Sequence, residues 1–146
     1  MSGIICAVRG GPVSQSTIKA SIQLAKEIQE QIHFVYVVNL EFLRQSSSGR
    51  SKLVSKEMAQ MGEMIVLSAS IKAESHGVAA TGVVTRGQVT EEIISLAREI
   101  DASHIILGAS QGADDDVFND RRRAAFTESI AAETGAEIIF AQDDSA

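Results

Sequence analysis

The chain has no tryptophan, and aromatic residues make up only 4% of it, so its core has to be built from aliphatic side chains. Cysteine occurs once, at Cys6 inside an apolar run. That excludes an intramolecular disulfide and fits a buried, inert thiol in a reducing cytoplasm. Basic residues are outnumbered, 13 against 19 acidic ones, for a net charge of -6. Nucleic acid and anionic membranes are bound through an excess of lysine and arginine, so neither is expected as a partner. No stretch approaches the roughly 18 apolar residues of a membrane helix. Nor does the N-terminus carry a basic region leading into a long apolar segment, so secretion and membrane insertion are not expected. The histidines His33, His76 and His104 are scattered without ligand spacing, which speaks against zinc. A Walker loop and a Gly-x-Gly-x-x-Gly fingerprint are both missing.

What is present has the rhythm of one alternating α/β domain spanning residues 1–146. Ile4 to Val8 is a short apolar run closed by Gly10-Gly11-Pro12 and predicts a strand buried on both faces. Ile18, Ile22, Ala25, Ile28 and Ile32 recur at steps of three and four and predict a crossover helix. Phe34 to Val38 is β-branched and aromatic, a second buried strand ended by Asn39. Leu40 to Lys52, with Ser46-Ser47-Ser48-Gly49, reads as a mobile surface loop. Val54, Met58, Met61, Ile65 and Ala69 then mark a second amphipathic helix ending near Gly77. The spacing of Met58, Met61 and Met64 points to core packing rather than a soft-metal site. Ala80 to Thr85 predicts a third strand, and Val89, Ile93, Leu96 and Ile100 a third helix. Ile105 to Leu107 is the fourth strand. Ala124 to Thr134, with Phe126 and Ile130 on one face and Gly135 as its stop, predicts a fourth helix, and Ile138 to Phe140 a last strand. Right-handed crossovers lay these strands into a doubly wound, five-stranded parallel sheet with helices on both faces.

The fourth strand breaks into Gly108-Ala109-Ser110-Gln111-Gly112, then the acidic run Asp114 to Asp116 and the basic run Arg121 to Arg123. Glycines at the carboxyl end of a parallel strand let backbone N–H groups approach a phosphate. The same five residues spell Gly-x-Ser-x-Gly, but a nucleophile elbow needs a helix at once, and no histidine follows Ser110 to complete a triad.

Ile4 to Val8 with its small turn, Ala20 and Leu24-Ala25-Lys26, and Val35 to Val38 resemble the universal stress protein family. So do Gly87 before Glu91-Glu92-Ile93, Ala97-Arg98-Glu99, Ala102 and Ile105 to Gly108. The resemblance implies strand order 3-2-1-4-5, with a cleft between the first and fourth strands. The implied nucleotide or anion site takes in Val8, Arg9 and Gly10 after the first strand and Val37 on the second. It continues through Gly108, Gln111 and Gly112 to Ala124, Ala125, Phe126 and Thr127. Nucleotide-binding members carry Gly-x-x-Gly, a nine-residue spacer, then Gly-Ser or Gly-Thr, and an aspartate ending the first strand. Here Gln111 holds the second-glycine position, Ala124-Ala125 stands where Gly-Ser is expected, the loop is longer, and Arg9 replaces the aspartate. Alanine adds a Cβ and lacks the hydroxyl donor, and arginine offers only donors where an aspartate would accept.

Two arrangements of the charges remain open. Arg9 with Arg121 to Arg123 can form an anion pocket, or these arginines can pair with Asp114 to Asp116 and Asp120 in a solvated loop. Ile138, Ile139 and Phe140 lie on an expected sheet edge, and the resemblance implies a homodimer through it; Asp143 and Asp144 beyond it would discourage pairing. The expectation is therefore a cytoplasmic, homodimeric regulatory or protective binding module with a degenerate nucleotide site, no firm cofactor, no metal and no turnover. Its alternative is an ATP- or AMP-binding stress protein, or a slow ATPase, using Gly108, Gly112 and the amides near Ala124.

Overall fold

The computed structural model describes residues 3–8, 13–39, 48–108 and 120–141. Five parallel strands form one sheet in the order β3-β2-β1-β4-β5: β1 Ile4–Ala7, β2 Ile32–Asn39, β3 Ala80–Gly87, β4 His104–Gly108 and β5 Glu137–Ala141. The helices between them are α1 Val13–Ile28, α2 Ser48–Ser75, α3 Val89–Ile100 and α4 Asp120–Thr134. The order expected from the family resemblance is the order found.

Strand side chains alternate between two cores. Ile4, Cys6, Phe34, Tyr36, Val38 and Ile106 pack with Ile18, Ile22 and Ala25 of α1 and with Val66, Ala69 and Ala73 of α2. On the opposite face Ile5, Val35, Ile105 and Leu107 pack with Ile93, Leu96 and Ala97 of α3 and with Ile130 of α4. The central strands are therefore covered on both sides, which explains their continuous apolar runs.

Several expected boundaries move. The α1 stripe stops before its predicted end: Gln29 adopts φ 58, Ile28 is exposed, and Ile32 opens β2 instead. The three-and-four period simply runs across a helix end that a left-handed residue imposes. The loop expected through Lys52 gives way to helix from Ser48, so only residues 40–47 of it fall outside the described residues. α4 starts at Asp120 rather than near Ala124, because Arg121 to Arg123 are helix formers that carry no apolar period.

The methionine expectation fails in part. Met58 packs against the core, but Met61 and Met64 are exposed. Val54, Ile65 and Ala69 of the expected stripe do pack on the core, with Val66 and Ala73 beside them, and the same face carries a bare position at Gly62. A Cβ on Gly62 would come within 2.4 Å of Cδ1 of Tyr36, and one on Gly82 of β3 within 2.6 Å of Val66 Cγ2. Helix and sheet approach closely only because these two positions are bare. Two small hydroxyls on the buried helix faces bond back to their own helices, Ser70 Oγ to the Val66 carbonyl at 2.8 Å and Ser21 Oγ to the Ile18 carbonyl at 2.7 Å. Such back-bonding satisfies a buried polar group locally.

Candidate functional site

α1 and α2 lie on one face of the sheet and α3 and α4 on the other, so the winding reverses between β1 and β4. Chains leaving adjacent strands toward opposite faces open a crevice at the carboxyl ends, where such sheets bind ligands. β1 and β4 run in register, Ile4 beside His104 and Cys6 beside Ile106. The Val8 N–H continues the ladder by donating to the Val35 carbonyl at 2.9 Å.

Of the residues assigned to this site from sequence, Val8, Val37, Gly108 and Thr127 lie among the fully described ones. Arg9, Gly10, Gln111 and Gly112 fall outside the described residues, as does the acidic run Asp114 to Asp116. Val8 is buried in the core beneath α1, whereas Val37 packs against the core beneath α3 and α4. The sheet thus separates these two onto opposite faces rather than bringing them together. Gly108 ends β4 beside Ala141 of β5, half-buried. Ala124, Ala125 and Phe126 are helical, with their side chains outside the described residues. Since α4 begins at Asp120, Ala124 and Ala125 sit beyond the first turn, where backbone amides bond within the helix; the unsatisfied amides of a helix are its first four.

Two residues near this end were missed from sequence. Thr85 stands beside Val37 in the β2–β3 register, and its hydroxyl is buried without a hydrogen-bond partner among the described residues. Glu92, in the first turn of α3, lies over the end of β3 so closely that a Cβ on Gly87 would meet its Oε2 at 2.9 Å. With Glu91 it neutralises the positive end of α3. Thr85 leaves no sequence signal, because a threonine in a strand is an ordinary occupant, and Glu92 stands in the Glu91-Glu92-Ile93 run that carries the family resemblance without its residue type marking it for this end of the sheet.

The amino ends of the strands form a closed rim. Ser103 N–H donates to the Gly3 carbonyl at 2.9 Å and Glu137 N–H to the Ser103 carbonyl at 3.0 Å. His104 links Ser103 Oγ through Nδ1 at 2.9 Å and Glu137 through Nε2 at 3.1 Å. His33 shares a hydrogen bond with Thr81 Oγ1 at 3.2 Å, and burial pushes its pKa down from 6.5. Both histidines lie at strand starts, away from the cleft, as their positions in the sequence imply. Cys6 is fully buried beside the Thr17 carbonyl, and desolvation pushes its thiol up to about 12. A thiol so far from ionisation is not a nucleophile.

Among the described residues no helix is long and apolar enough to cross a membrane. β5 is an edge strand, and its Ile138, Ile139 and Phe140 are half-buried.

The chain is similar to the universal stress protein MJ0531 of Methanocaldococcus jannaschii, 26% identical over 108 residues, which is 73% of this chain and 64% of that relative. The match thus spans less than two-thirds of that relative's length. Its fold is similar to a universal stress protein family structure from Burkholderia pseudomallei, with TM-score 0.72 and 20% identity, covering 95% of this chain and 94% of the other. It is also similar to an Arabidopsis thaliana universal stress protein family structure with AMP bound, with TM-score 0.62 and 13% identity, covering 99% and 94%. The model of the universal stress protein family matches residues 1–125. With the 3-2-1-4-5 sheet and its switch-point cleft, that match places the chain in the universal stress protein family.

Proposed function

We propose that this protein is a regulatory or protective binding module without turnover, whose nucleotide cleft no longer makes the family's usual ATP contacts. The observation carrying this reading is the early start of α4 at Asp120. Where nucleotide-binding relatives present a glycine and a hydroxyl to phosphate, this chain has Ala124 and Ala125 inside a helix, their amides committed to its backbone. Arg9 in place of the strand-end aspartate removes an acceptor for adenine or ribose. In this reading the protein is cytoplasmic and pairs with a second copy through the β5 edge at Ile138, Ile139 and Phe140.

A second reading keeps AMP or ATP as ligand, favoured by the AMP bound to the Arabidopsis protein of the same fold. Thermal shift with ATP, ADP and AMP, each with and without magnesium, separates the two. A ligand at 100 times its dissociation constant that binds only the folded state adds about 2.7 kcal/mol of stability. The expected result is no shift at millimolar ligand; a shift of that size would overturn the first reading in favour of the second.

A further inference from the structure

The apolar residues of α2 that fail to reach the core are not scattered. Leu53, Met64, Leu67 and Ile71 are 59%, 73%, 60% and 58% exposed. At about 100° per residue they fall on one line of the helix, diametrically opposite the sheet-facing line of Ser55, Gly62, Val66, Ala69 and Ala73. Gln60 completes the line and Met61 flanks it. From Gln60 to Ile71 its steps of four, three and four are those of the seam of a helix pair, not of a solvated surface. We propose that this outer face of α2 is a docking surface for α2 of a second copy of this chain, packed antiparallel.

The argument for that occupant is complementarity of both shape and charge. In an antiparallel pair centred near residue 65, Met64 meets the partner's Leu67, Ile71 meets the partner's Gln60, and Met61 meets the partner's Ser68. The same register sets the partner's Glu74 beside Lys56 and level with Glu57, and the partner's Lys72 beside Glu57, each contact made twice by the two-fold axis, while Leu53 falls past the end of the partner's α2 at Ser75. All four of these charged residues are exposed; Lys72 spends one of its three donors on Gln15 Oε1 at 3.2 Å. A parallel, in-register pair would instead oppose Glu57 to its own copy and Glu74 to its own copy, which is repulsive. A lipid surface is the poorer fit. Among the residues whose side chains are described, the charges beside the stripe are Lys56 and Lys72 against Glu57, Glu63 and Glu74, in a chain of net charge -6, whereas membrane-surface helices are rich in lysine and arginine on the polar face. This surface lies on the α2 side of β2 and β3, at the other end of the sheet from β5, so it is separate from any pairing through that edge.

One helix face is a small interface, so its test belongs at protein concentrations up to on the order of 100 µM. Sedimentation equilibrium across that range should show a mass that rises with concentration. Leu67→Glu should remove the part of the rise that pairing through β5 does not supply, while leaving the circular dichroism spectrum and the melting temperature unchanged. Lys56→Glu should weaken association about tenfold, and Lys56→Glu with Glu74→Lys should restore it. A wild-type mass indistinguishable from that of Leu67→Glu at every concentration overturns the proposal, as does a double variant no stronger than the single one. Flotation with phosphatidylcholine and phosphatidylglycerol vesicles supplies the remaining arm. Flotation lost in Leu67→Glu without any change in mass assigns the stripe to lipid and overturns pairing.

Discussion

On the face of the sheet that carries Ile5, Val35 and Ile105, α3 turns Ile93, Leu96 and Ala97 inward, and its Glu91, Arg98 and Glu99 are exposed. On the other face α2 divides its apolar residues, turning Val54, Met58, Ile65 and Val66 inward with the small Gly62, Ala69 and Ala73, and Met64, Leu67 and Ile71 outward. Both helices cover the same sheet, and both are stable solutions of the burial problem. α3 gains its stability from large side chains removed from water. α2 adds proximity to such burial: with Gly62, Ala69 and Ala73 at the contact beside Ile65 and Val66, the helix backbone comes close to Tyr36 and β3 and gains dispersion contacts. The lesson is that a hydrophobic residue's spacing on a helix says which residues share a line, while the partner surface decides which line faces in.

The sharpest way to break this contrast is a pair of matched truncations. Ile93→Ala should destabilise the fold by about 2–5 kcal/mol, since it deletes a fully buried side chain. Ile71→Ala on α2 should change stability by no more than about 0.5 kcal/mol in dilute protein. Urea denaturation of both variants measures the difference, and comparable losses would mean that the outer face of α2 is not solvent-exposed.

Gly62→Ala sharpens the comparison through its sign. In a helix interior, alanine for glycine ordinarily adds about 1 kcal/mol. Here the new Cβ would sit 2.4 Å from the Tyr36 ring, so the overpacking penalty of about 1–3 kcal/mol should win, and the urea midpoint should fall. A rise would show that α2 can retreat from the sheet at little cost.

The smallest effect concerns the face beneath α3. His33 lies beside Ile5 in the strand register, and its pKa is held below 6.5 by burial. Below that value the unfolded chain binds a proton that the folded chain resists, so stability is full above pH 6.5 and declines as pH falls toward the depressed folded value. Urea midpoints near neutrality and about one pH unit below 6.5 should differ for the wild type, and His33→Gln should reduce that difference.

Much of this was legible in the sequence because the determining forces are local. Ile93, Leu96 and Ile100 announce α3, and Phe34 to Val38 announce a buried strand, since burial on both faces requires unbroken apolar runs. The start of α4 was not legible, because Asp120 and Arg121 to Arg123 form helix by propensity and leave no apolar imprint. The candidate site was legible only as a place. Gly108 after β4 marks the cleft, but the separation of Val8 from Val37 by the sheet follows from strand parity across the paired strands β1 and β2. Thr85 and Glu92 reach the same end through register and helix placement that no single segment encodes.

The succession of strands and helices along the chain and the aliphatic character of the core follow from the chain alone, because periodicity and turn residues act over a few positions. The inner stripe of α2 at Val54, Met58, Ile65 and Ala69 was legible too; how closely the helix approaches the sheet, and that Met61 stands in solvent with Met64, Leu67 and Ile71, was decided only in three dimensions. That approach rests on Gly62 against Tyr36 and Gly82 against Val66, contacts between residues distant in sequence. Close packing rewards the fit of two surfaces, and no hydrophobic count along one helix contains the shape of the other.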